Sequence, residues 1–249
     1  MAQTCFFTSS MMTTEFNPDG TEYPVPIKND NNFLTKLKEA WQPYNNVKVL
    51  MIASRPTTHE TNDFYLGIYR ESLEMSGLSI DKMDLYDDRR NYNILDYDVL
   101  ILSGGHVPTQ NAFFKSINLK DKIHDFDGVI VSLSAGSMNS AETVYSLPEE
   151  SGEAENPNYQ RYFDGLGLYD IRMFPHFQYF NGLTLDGLDM VHDIALKDSF
   201  NEDIYALDDG VYFYKKDDVL YLCGKAIYMK DGQMTTIGAD GEMTKIEEL

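Results

Sequence analysis

The segment Gly128–Ala141, GVIVSLSAGSMNSA, decides how this chain is read. Its first half, Val129–Leu133, is a β-branched and apolar run without polar alternation, the mark of a strand buried on both faces. Its second half is made of small residues that continue into a helix. A buried strand that runs straight into Ser134-Ala135-Gly136 suits a nucleophile elbow. The turn pushes the serine hydroxyl beyond the strand end, and small side chains at Ser132 and Gly136 let the backbone double back. The backbone N–H of Ala135, at the start of the helix, then faces any oxyanion formed at Ser134. Ser132 stands where a strict G-x-S-x-G would have its first glycine. The same pattern also describes a simple strand-to-helix turn without chemistry.

Working outward, a second strand, Asp98–Leu102, ends in Ser103-Gly104-Gly105-His106. In an open parallel sheet, ligands bind beyond the carboxyl ends of the strands. Gly104 or Gly105 is therefore a natural second oxyanion donor. Further strands are expected at Cys5–Ser9, Val47–Ala53, Ile80–Leu85 and Asp170–Phe174. Helices are expected at Asn32–Trp41, at Thr61–Ser76 (capped by Asn62 or Asp63 and ended by Gly77), from Thr109 to Ser116, and at Leu183–Ala195. Strands alternating with helices give a three-layer α/β fold: a mainly parallel sheet with helices on both faces. From Ile204 onward the pattern changes to hairpins, with turns at Asp209-Gly210, Lys216-Asp217-Asp218 and Asp231-Gly232. These antiparallel strands are read as finishing one domain spanning 1–249.

A serine nucleophile needs a base, and there are five histidines. His59 and His124 sit in polar, loop-like segments, and His192 lies on an expected helix. His106 follows the Gly-Gly turn. His176, in DIRMFPHFQYF, follows a strand and a proline, so it is favoured as general base. A partly buried histidine among aromatics is the bland alternative.

Composition bounds the rest. The net charge of -20, from 40 acidic and 20 basic residues, repels phosphates and anionic lipid, so neither nucleic acid nor membrane is an expected partner. The two cysteines, Cys5 and Cys223, are far apart in strand-like segments and form no disulfide framework. His and Cys fall at no metal-ligand spacing, and no phosphate loop is present, so no cofactor or metal is expected. The N-terminal MAQTCFFTSSMM lacks the features of a signal peptide, and no apolar stretch is long enough to span a membrane. The expected location is the cytoplasm. A homo-oligomer is left open.

Three features in order, the Gly-Gly turn in LSGGHVPTQNAFF, the elbow in SLSAGSMNSA and Pro175-His176 in FPHF, make the chain resemble the serine peptidase family of dipeptidase E and cyanophycinase. That family has the class I glutamine-amidotransferase-like, flavodoxin-like fold. The resemblance runs from roughly Val47 to Phe213 and implies Ser134 as nucleophile, His176 as base, and an oxyanion hole formed by Gly105 and Ala135. An ungapped reading of it puts Glu149, beside Glu150, as the acid that orients His176. Asp208 or Asp209, in YALDDG, is the alternative. His106, Gln110 and Asn111 are expected to line the substrate pocket. An aspartyl dipeptidase also needs a cation for the substrate carboxylate, with Arg161 and Arg172 the arginines near the motifs. The implied activity is hydrolysis of dipeptides or short peptides, including those with an N-terminal Asp, through an acyl-enzyme. The competing reading is a non-catalytic small-molecule or protein binding module on the same fold. Glutamine amidotransfer is disfavoured because the elbow carries serine in place of cysteine, whereas an esterase remains chemically open.

Overall fold

A computed structural model describes residues 3–248; residues 1, 2 and 249 of the expected 1–249 unit lie outside the described residues. Ten strands form one sheet: β1 (Thr4–Thr8), β2 (Lys48–Ile52), β3 (Lys82–Tyr86), β4 (Val99–Leu102), β5 (Val129–Leu133), β6 (Arg172–Pro175), β7 (Ile204–Leu207), β8 (Tyr212–Lys216), β9 (Val219–Lys230) and β10 (Gln233–Lys245). Their order is β6-β7-β9-β8-β1-β5-β4-β2-β3, with β10 on β9. The run β1-β5-β4-β2-β3 is parallel throughout. The apolar residues of β2, β4 and β5 are buried, as their uninterrupted hydrophobic runs require.

Helices cover the two faces of this sheet. Helix α1 (Phe33–Trp41) buries Phe33, Leu37 and Trp41 at a spacing of four. Helix α2 (His59–Met75) connects β2 to β3. It ends where Gly77, at φ 80°, takes the left-handed conformation. Leu78 N–H then reaches Leu73 C=O and Gly77 N–H reaches Glu74 C=O, closing the last turn. Its N-cap is Thr58, not Asn62 or Asp63. Asn62 lies inside the helix and spends its amide on the carbonyl of Arg55. Helix α3 (Val107–Ser116) begins right after the Gly-Gly turn, and α4 (Leu119–Ile123) and α5 (Ala135–Ser140) follow.

The C-terminal half differs from expectation in two places. Leu183–Ala195 is not one helix. Asp186 (φ 50°) and Gly187 (φ 82°) close a tight hairpin between Thr184–Leu185 and Leu188–Asp189, and only Met190–Ala195 is helical, with π geometry. Of the turns expected from Ile204 onward, 216–218 and Asp231-Gly232 close the antiparallel hairpins β8–β9 and β9–β10. Asp209-Gly210 closes none: β7 and β8 both pair with β9, which lies between them, and β7 also pairs in parallel with β6. A second apolar cluster, including Tyr145, Phe174, Ile194 and Met229, packs under that pair. Cys5 and Cys223 are buried free thiols. No helix among the described residues is long and apolar enough to cross a membrane.

Three registers set the functional end of the sheet. Thr8 pairs with Leu133, Leu102 with Ser132, and Pro175 with Leu207. The residues just beyond these strands therefore stand side by side at one carboxyl edge: Ser9, Ser103–Gly105, Ser134, His176 and Asp208–Asp209. The strand order reverses direction between β2 and β4, where an open sheet leaves a crevice.

Candidate active site

Ser134 sits on the bend between β5 and α5 at φ 47°, ψ −111°, a conformation that side chains rarely adopt. Its N–H donates to Thr8 C=O at 3.0 Å, and its C=O accepts from Met138 N–H at 2.9 Å. The Ser137 hydroxyl adds a bond to Thr8 C=O at 2.8 Å. Gly136 is required for the return: a Cβ there would lie 2.2 Å from the carbonyl oxygen of Leu102. The helix thus packs directly on the end of β4, and the overdetermined bend holds the strained residue.

His176 follows β6 and also has an unusual backbone, φ 130°, ψ 48°. The short helix α6 (Phe177–Phe180) behind it is held by Phe177 and Phe180 against Phe174, with ring centroids 6.2 and 5.5 Å apart. The Ser134 hydroxyl lies 2.7 Å from His176 Nε2, and His176 Nδ1 lies 2.9 Å from Asp209 Oδ1. A carboxylate only accepts, so Nδ1 carries the proton and Nε2 is free to accept from Ser134. The Ser9 hydroxyl donates to the same Asp209 Oδ1 at 2.7 Å. The Asp209 N–H is fixed by Gln178 Oε1 at 3.1 Å. Burial alone would raise the Asp209 carboxyl. The hydrogen bond and charge of His176, with the Ser9 hydroxyl, outweigh it and hold that carboxyl below its ordinary value.

This geometry corrects the expected acid. His176 meets Asp209, whereas Glu149 stands in the 148–158 loop, where its N–H donates to Glu153 Oε2. Burial, with Glu153 and Glu150 adding to it, pushes the Glu149 carboxyl up to about 7 against the opposing pull of Arg55. The expected substrate residues also have other employment. Gln110 is fully buried, donating to Ser103 C=O and accepting from Asn139; Asn111 donates to Asn139 and to Asp164 C=O. Both hold α3 to α5. His106 lies between Thr109 Oγ1 at 2.7 Å and Glu153 Oε1 at 3.0 Å, tying the Gly-Gly turn to the acidic loop.

A cavity of about 380 Å³ opens beside Ser134 and His176. Its walls include Ser9, Ser54, Arg55, Tyr65, Tyr69 and Ser103–Gly105. Gly105, at φ 148°, approaches Ser54 so closely that a Cβ would meet its hydroxyl at 2.1 Å. Among the described residues no acceptor takes the N–H of Gly105. The Ala135 N–H, in the first turn of α5, has no acceptor inside the helix either. The cavity's guanidinium is that of Arg55, and the sequence reading overlooked it. Thr58 and Asn62 both bond its carbonyl oxygen and so fix where it leaves β2. Its side chain is ion-paired with Glu150. Arg161 pairs with Asp198 at 3.5 Å, and Arg172 with Asp170 and Glu202; neither lines the cavity.

Folding also gathers His106, Glu150 and Glu153, which the spacing of His and Cys in the sequence did not foreshadow, with their ligand-type atoms within 4.8 Å of one another. Each already has a protein partner: Glu153 and His106 hold each other, and Glu150 holds Arg55.

The peptidase family S51 profile matches residues 28–222, and no curated protein matches the sequence. Among solved structures, the chain is similar to a peptidase from an acI-B1 Actinobacterium, with a TM-score of 0.64 and 16% identity over 99% of this chain and 98% of the other. It is also similar to a putative peptidase E protein from Listeria monocytogenes EGD-e, with a TM-score of 0.54 and 14% identity over 95% of this chain and 98% of that one. At these identities the two structures speak for the shared fold. The profile spans most of the chain, including the Gly-Gly turn, the elbow and Pro175-His176, and by it the chain belongs to peptidase family S51.

Proposed function

We propose that this serine peptidase hydrolyses dipeptides and short peptides, including those with an N-terminal Asp, through a Ser134-His176-Asp209 acyl-enzyme mechanism. The observation that carries the reading is the unbroken hydrogen-bond chain from the Ser134 hydroxyl through His176 to Asp209 at the wall of a cavity. His176 takes the Ser134 proton as the hydroxyl oxygen attacks the scissile carbonyl carbon. The N–H groups of Ala135 and Gly105 receive the developing oxyanion. The imidazolium, stabilised by Asp209, then protonates the leaving amine, and the carbon–nitrogen bond breaks. Water, deprotonated by His176, attacks the ester, and Ser134 is released as the acid product leaves.

Arg55 supports the acidic preference, because a guanidinium in a cavity of this size is the natural partner of a substrate carboxylate. A binding module would leave Ser134 and His176 free to stand apart, and their 2.7 Å contact speaks against it. The test is labelling with a fluorophosphonate probe, followed by hydrolysis of Asp-Xaa dipeptides. Wild-type protein should label and Ser134→Ala should neither label nor hydrolyse. Full activity in Ser134→Ala would sink the mechanism.

A further inference from the structure

We propose that Ser9 is a fourth, positioning member of the catalytic group, acting through Asp209; the inference rests on the Ser134-His176-Asp209 reading above. Ser9 is fully buried at the end of β1, level with Ser134 across the parallel β1–β5 pairing. Its hydroxyl lies 2.7 Å from Asp209 Oδ1 and 3.2 Å from His176 Nδ1, and Asp209 Oδ1 is 2.9 Å from that same nitrogen. The three atoms form a closed triangle in which the proton assignments are forced. The carboxylate can only accept, so the Ser9 O–H points at it, and the His176 Nδ1–H points at the same oxygen.

The backbone prepares this contact. Ser9 N–H reaches Val211 C=O, and Val211 N–H closes the turn onto Asp208 C=O, so β1 is docked on the bend that carries Asp209. A carboxylate with a single imidazole partner can rotate about its terminal torsion. A second donor on the same oxygen fixes the plane of the carboxylate and with it the tautomer and tilt of His176. Ser9 meets Asp209 and the Nδ1 side of His176, whereas Ser134 meets Nε2, so Ser9 acts on the reaction by orienting the carboxylate and the imidazole it holds.

The experiment compares fluorophosphonate labelling rates of the wild type, Ser9→Ala, Asp209→Asn and the double variant. Ser9→Ala is expected to slow labelling about tenfold, as befits loss of a hydrogen bond to a charged group. In the Asp209→Asn background, Ser9→Ala should add almost nothing, because the carboxylate it serves is gone. Ser9→Cys keeps the volume while replacing the hydroxyl with a weak donor, and should be slowed like Ser9→Ala. An equal loss from Ser9→Ala in both backgrounds, or full retention by Ser9→Cys, would overturn the proposal and leave Ser9 as packing. If Asp209→Asn itself labels at the wild-type rate, the fault lies in the Ser134-His176-Asp209 reading.

Discussion

Oδ1 of Asp209 lies 2.9 Å from Nδ1 of His176, although the two are 33 positions apart, with β7 and the whole 177–203 segment between them. A carboxylate in this position holds the imidazole in the tautomer that can accept the Ser134 proton. Asp209→Asn is therefore expected to lower kcat by about 10³- to 10⁴-fold. Glu149→Gln should cost less than about threefold, since Glu149 makes no contact with His176. Steady-state hydrolysis of one dipeptide by both variants separates the two acids.

Arg55 is exposed enough to exchange partners, and Glu150 is its present one. Arg55→Ala should lower kcat/KM about 10- to 100-fold for Asp-Xaa dipeptides, with little change for Ala-Xaa. Glu150→Gln should act in the opposite direction, lowering KM for Asp-Xaa a few-fold because the substrate no longer competes with an internal carboxylate. Equal losses on both substrates would show that Arg55 supports the cavity wall without reading charge.

Gly136→Ala tests the elbow. The added Cβ would meet the Leu102 carbonyl, which is backbone and cannot swing away. The variant should be destabilised by more than about 2 kcal/mol and lose labelling. Gly67→Ala, in the interior of α2 with open space around its Cβ, is the control. It should be neutral or stabilising by about 0.5–1 kcal/mol in urea unfolding.

Glu149 gives the stability a pH dependence. Its carboxyl is raised from 4.5 to about 7 in the folded protein by burial and by Glu153 and Glu150. The native state thus holds a proton that the unfolded chain releases first, so stability falls as the pH rises through that window. Glu149→Gln should stabilise the protein by about 1–3 kcal/mol at pH 8 and leave it unchanged near pH 4. Denaturant midpoints at the two pH values measure the difference.

The parallel core was legible because β2, β4 and β5 are buried on both faces, and burial on both faces writes itself as an uninterrupted apolar run. Ser134 and the Gly-Gly turn were legible for a local reason: a bend of that kind needs small residues on the spot. The helix expected at Leu183–Ala195 failed because apolar residues at Leu185, Leu188, Val191 and Ile194 also fit helical spacing. The Asp186-Gly187 pair, a tight-turn signal, should have outweighed them. Asp209 was one of several acids because its partnership depends on β7 lying beside β6, with Leu207 opposite Pro175, and no local pattern encodes that neighbour. Gln110 and Asn111 looked like pocket residues because they follow the Gly-Gly turn. The first turn of α3 rotates them inward, onto Asn139. Arg55 left no signal, since a lone arginine after a strand is ordinarily surface charge.

Strand β1 lies between β5 and β8 in the sheet and pairs with residues 212–215 on one side. Ser9 and Asp209, which share a hydrogen bond, are 200 positions apart. A chain emerging from the ribosome therefore displays the elbow and His176 well before the acid and its sheet neighbour arrive. Until that late stretch of polypeptide has been made and has paired with the earliest strand, the serine has no oriented base. The catalytic edge of the sheet is thus the last part of the fold to close, when the late strands meet the first one.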